Sequence, residues 1–147
     1  MKVRDVPQDN GMIGHYGQEI CYAVNEKGRY QLTHSMGWDV KNVVNEQAWE
    51  LIFLEIKKTH EKVINNKLSP LAFHMITNQM DPGLLGKYVS IAGWRVRRHL
   101  KPRVFKGLSE FILSRYAEIF NMTINDLKTV PLTINIETLR NRSATQA

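Results

Sequence analysis

One cysteine, Cys21, in 147 residues leaves no partner for an intramolecular disulfide and no thiolate pair for a metal. It sits in an apolar run and reads as a small core residue of a protein kept in a reducing compartment. No stretch approaches the roughly 20 apolar residues that a membrane span needs. The first residues, Met1-Lys-Val-Arg-Asp-Val-Pro7, lack the apolar core of a secretory signal. The expectation is a soluble, cytoplasmic protein. No glycine-rich phosphate loop and no Gly-x-Ser-x-Gly turn is present. His15, His34, His60, His74 and His99 are scattered, with no pair at ligand spacing on a predicted helix. Neither an enzyme, nor a metal site, nor a bound cofactor is expected.

Acid is missing from one long segment. From Pro82 to Ser109 there is no Asp or Glu, while Lys87, Arg95, Arg97, Arg98, Lys101, Arg103 and Lys106 all fall there. Residues 1–66 carry 8 Lys/Arg and 9 Asp/Glu, a net of −1, and residues 67–147 carry 12 and 5, a net of +7. A field so localised attracts polyanions. The plain alternative is a solvated basic surface.

What is present is enough for a folded domain. The chain is 43% apolar and 23% charged, a globular composition whose core needs no staples at this length. Residues 1–18 read as irregular, broken by Pro7, Gly11, Gly14 and Gly17. Glu19 to Thr33 reads as a β-hairpin, with Ile20, Tyr22 and Val24 on one strand, Tyr30 and Leu32 on the other, and Gly28 closing the loop. A lone hairpin is marginal in water. The tail after Pro131 offers either a third strand, from the alternation of Leu132, Ile134 and Ile136, or a short helix. Asn45 to Asn66 reads as a long helix whose apolar face is Ala48, Trp49, Ile52, Phe53, Ile56 and Val63. Leu51 and Leu54 widen that surface, so a dimer helix is an alternative to a core helix.

Ser69-Pro70 and Asp81-Pro82 each place a capping residue before a proline, a helix-start signal. They open helices over Pro70–Gln79 and Pro82–Val89. Ser90-Ile-Ala-Gly93 then supplies a tight bend, Trp94 to Lys101 forms the next helix, and Pro102 stops it. Steeply crossing helices need a small residue where their backbones approach, and Gly86 is placed for that. Leu85, Val89, Ile91 and Val96 make the apolar seam. The segment Asp81-Pro-Gly-Leu-Leu-Gly-Lys-Tyr-Val-Ser-Ile-Ala-Gly-Trp-Arg-Val-Arg-Arg-His99, followed by Leu113-Ser-Arg-Tyr-Ala-Glu-Ile-Phe-Asn-Met-Thr-Ile-Asn-Asp-Leu127, resembles the phage-repressor-like (Cro/Xre-type) helix-turn-helix family over residues 70 to about 128. It departs from the family at Ser90, where a glycine is usual, at His99 in the last apolar position, and at Lys101-Pro102.

The resemblance implies a mainly α fold: a lambda-repressor-like helix-turn-helix bundle over residues 67–130. An N-terminal hairpin and long helix (1–66) would serve dimerisation or sensing, and 131–147 would form the tail. It implies a second helix lying in the DNA major groove, with Gly93, Trp94 and Arg98 facing base edges. Arg98 has the planar fork that reads guanine. Lys87, Arg95, Arg97, Lys101, Arg103 and Lys106 would suit phosphates. The expected protein is a transcriptional regulator that binds double-stranded DNA, as a homodimer. The alternative is a protein-interaction module that uses the same scaffold without specific DNA readout.

Overall fold

The computed structural model describes residues 1–9, 18–135 and 139. The chain divides into two compact units, one up to Ile52 and one from Phe53. Among the described residues it is mainly helical, with seven α-helices and a two-stranded antiparallel sheet, and no helix is long and apolar enough to cross a membrane.

In the first unit, β1 (Glu19–Val24) pairs with β2 (Tyr30–Ser35) from Glu19↔Ser35 to Val24↔Tyr30. The loop between them is locked locally. Asn25 Oδ1 accepts from the backbone N–H groups of Lys27 and Arg29, each at 3.0 Å, and Gly28 takes a left-handed φ of +74°, as its place in the loop requires. Residues 1–9 are less irregular than their sequence suggests. A short 3-10 turn, Val3–Asp5, is flanked by isolated bridges Lys2↔Val24 and Gln8↔Gly37. Ser35 Oγ donates to the Pro7 carbonyl at 2.6 Å. Val6, Ala23 and Ser35 are buried. The expected breaks at Gly11, Gly14 and Gly17 lie outside the described residues.

Helix α1 (Asp39–Ile64) has 26 residues and starts about two turns before the expected Asn45. Its first N–H groups need acceptors, and one comes from afar: the Asp39 N–H donates to Asp9 Oδ2 at 3.1 Å.

In the second unit the end of α1 buries Ile56, His60 and Val63. Helices α2 (Pro70–Thr77), α3 (Pro82–Tyr88), α4 (Gly93–His99), α5 (Pro102–Lys106), α6 (Glu110–Ile119) and α7 (Ile124–Leu127) follow. Isolated helices this short do not persist in water, so packing holds them. Their core is Leu71, Met75, Leu85, Val89, Val96, Phe105, Leu113, Tyr116, Ala117, Phe120 and Leu127, with Ile91 and Met122 partly buried against it. The capping box of Thr123 and Asp126 at α7 is present, and the Thr123 hydroxyl and backbone N–H hold the Asp126 carboxyl below its ordinary range.

Two expectations are corrected. Pro102 ends α4 but also opens α5 at its first position, where a missing N–H costs nothing. Residues 131–135 form no strand; His60 Nε2 lies 2.6 Å from the Pro131 carbonyl and, just before the segment, His74 Nε2 lies 2.9 Å from that of Thr129. The rest of the proposed strand, Ile136 and Glu137, lies outside the described residues.

Candidate nucleic-acid interface

Helices α3 and α4 meet through glycine. A Cβ on Gly86 would come within 2.5 Å of the Ile91 carbonyl oxygen and 3.2 Å of the Gly93 Cα, and one on Gly93 would come within 3.2 Å of the Gly83 Cα. Three residues without side chains thus let the two backbones touch. The turn between the helices is closed by the Ile91 N–H, which donates to the Gly86 carbonyl at 2.8 Å. Ser90 supplies the left-handed residue, φ +53°, that a glycine usually supplies in such a helix end.

Asp81 caps α3. Its Oδ1 accepts from Gly83 N–H at 2.6 Å and Leu84 N–H at 2.9 Å. The Leu84 and Gly83 bonds, aided by Arg97 and Lys87, hold its carboxyl below the usual range. The carboxylate that immediately precedes the basic segment is thus occupied as a cap.

Helix α4 is fixed from its inner side. Val96 is fully buried and His99 nearly so. His99 Nδ1 and the Tyr116 hydroxyl share a hydrogen bond of 2.9 Å, which joins α4 to α6. Burial, with Arg95 and Arg98 adding to it, lowers the His99 pKa, and burial pushes the Tyr116 phenol up to about 12. Ser69 occupies the N-cap position of α2, but its hydroxyl does not cap that helix. It donates instead to the His99 carbonyl at 3.0 Å, and the Leu100 carbonyl accepts from the Ser69 N–H at 2.8 Å. The C-terminal carbonyls of α4, orphaned as at every helix end, are satisfied from α2.

The outer side follows from the helical turn of about 100° per residue. With Val96 pointing inward, Trp94 and Arg98 stand on the opposite side, beside Lys101, and Arg97 and Arg95 flank them. Trp94 is 61% exposed, and the Arg95 guanidinium lies over its ring, 5.4 Å from the centroid. Lys87, Arg95, Arg97, Arg98, Lys101, Arg103 and Lys106 are all exposed. None of them belongs to the ion pairs found among the described residues, Arg4–Asp5 and Lys41–Glu19. Gly93, expected among the base-facing positions, is half-buried and packs on α3. Tyr88 on α3 is a further exposed aromatic, at 60%, which the sequence did not single out, since a helix-end tyrosine gives no signal of its own. No group of metal-binding side chains occurs among the described residues.

No protein-family model matches this chain, and no curated protein or solved structure matches it.

Proposed function

We propose that this chain is a sequence-specific DNA-binding protein, a transcriptional regulator in which α3, the Ser90 turn and α4 act as a helix-turn-helix of the phage-repressor kind. Helix α4 enters the major groove, with Trp94 and Arg98 toward base edges. Arg95, Arg97, Lys101, Arg103, Lys106 and Lys87 hold phosphates. One observation carries the reading. Seven exposed cations, free of ion pairs among the described residues, sit on a segment with no carboxylate from Pro82 to Ser109, around a short helix anchored on its other side. Unpaired surface cations repel one another, so their concentration on so short a segment is best explained by a polyanionic partner. A seven-residue reading helix covers too few base pairs for a specific site, so two copies bind two half-sites.

Selection of binding sites from random duplex DNA tests the proposal. A half-site motif is expected. Arg98→Ala should relax preference at one base pair by about 1–3 kcal/mol, whereas Lys106→Ala should weaken all sequences alike. Absence of any enriched motif, with weak binding abolished by moderate salt, would overturn specific readout and favour a protein-interaction role.

A further inference from the structure

Helix α1 carries an exposed apolar stripe. At about 100° per residue, Val40, Val43, Val44, Gln47, Leu51 and Leu54 fall on one side of this helix. They are exposed: Val40 and Val44 at 58%, Leu51 at 70%, Leu54 at 46%. Val40, Val44, Gln47, Leu51 and Leu54 alternate at spacings of four and three. That spacing is the heptad seam by which a helix pairs with another helix, and it differs from the broader face of a helix lying on a globular core.

We infer that this stripe is where a second copy of the chain docks, helix against helix and antiparallel. The inference rests on the dimer of the proposed function but uses no residue of α3 or α4, so each can fail alone. Two observations select a second copy. The heptad pattern is self-complementary, because each seam residue of one helix meets a seam residue of its twin. The exposed stripe offers roughly 500 Å² per copy, so about 1,000 Å² between two, which is the threshold for a specific interface. Charge sets the direction. Parallel pairing would bring Glu50 beside the partner's Glu55, like against like. Antiparallel pairing brings Lys41 beside the partner's Glu55 twice, at the two ends of the seam, and leaves a single like-charged meeting, of Glu50 with its twin. Lys41 also contacts Glu19 of its own chain, and an ammonium has three protons to share.

The test is sedimentation equilibrium on the full chain, with thermal unfolding of each variant to establish that it folds. The wild type should be a dimer at micromolar concentration, and Leu51→Glu should weaken association by roughly 30-fold or more. A second measurement does not depend on tolerating a buried charge. In a Cys21→Ser background, Ala48→Cys should cross-link to itself under mild oxidation, since Ala48 lies beside its twin only when the helices run antiparallel. A wild type that stays monomeric at 100-fold higher concentration (about 100 µM) would overturn the inference. So would a dimer that survives Leu51→Glu but is broken by Leu32→Glu, which would move the interface to the exposed hairpin face. Cross-linking through Gln47→Cys instead of Ala48→Cys would overturn the antiparallel arrangement.

Discussion

Two positions at the junction of α3 and α4 obey the same steric rule with opposite consequences. Ser90 holds a left-handed backbone, φ +53°, which costs a residue with a Cβ about 1–2 kcal/mol. It is exposed, so a smaller side chain loses no packing. Ser90→Gly should therefore stabilise the protein by about 0.5–1 kcal/mol, once glycine's greater unfolded-state entropy is subtracted. At Gly86 the addition of one carbon is forbidden by space. Its Cβ would lie 2.5 Å from the Ile91 carbonyl oxygen, a backbone atom that cannot swing aside. Gly86→Ala should cost about 2 kcal/mol or more and displace α4. Urea denaturation of both variants checks the signs. DNA affinity should survive Ser90→Gly and fall with Gly86→Ala, because only the second changes how α4 is presented.

Helix α4 is an element whose anchoring is titratable. His99 is buried and bonded to Tyr116, and its folded pKa lies below the ordinary 6.5. Above pH 6.5 the imidazole is neutral in both states and its contribution to stability is complete. As pH falls from 6.5 through the lower folded value, the unfolded chain takes the proton first, and that contribution is lost. Tyr116 acts at the other end: its phenol is raised from 10.0 to about 12. Its contribution is complete below pH 10 and disappears as pH rises from 10 to about 12. His99→Asn keeps a hydrogen-bonding group near Nδ1 and removes the titration. Its unfolding free energy should fall less than that of the wild type between pH 7 and pH 5, and the difference between the two curves isolates the contribution of His99.

The same element shows what sequence could and could not reveal. Asp81-Pro82, Gly86 and the seam of Leu85, Val89 and Val96 announced the α3–α4 pair because capping, close approach and apolar spacing are local rules. The outward placement of Trp94 and Arg98 follows from the helical turn once Val96 is known to face inward. The start of α1 was hidden because an acceptor for its first turn, Asp9, lies 30 residues earlier. Ser69 gave the right helix start, but its hydroxyl was spoken for by α4, a tertiary choice that no local pattern encodes. Pro102 signals a helix end and a helix start equally well, so α5 was missed. The tail alternates like a strand, yet His60 and His74 bond the carbonyls of Pro131 and Thr129 from residues 71 and 55 positions away in sequence.

At the scale of the whole molecule, charge and apolar surface are divided along the chain. Residues 1–66 are near neutral and residues 67–147 carry a net of +7. The seam on α1 lies in the first stretch and the cations of α3–α5 in the second. Association and DNA contact should therefore be separable, and salt dependence distinguishes them. Each phosphate neutralised steepens the fall of log affinity with log salt by about 0.9. A dimer that engages two half-sites makes twice the contacts of one copy. Leu51→Glu, which removes no cation near DNA, should thus halve the salt slope as well as lower affinity. Lys106→Ala, which removes one phosphate contact per copy, should reduce the dimer's slope by roughly 2. Titration of a selected site across a range of salt concentrations reads both. A Leu51→Glu slope equal to that of the wild type would mean that one copy already makes every phosphate contact. DNA binding would then stand without the dimer.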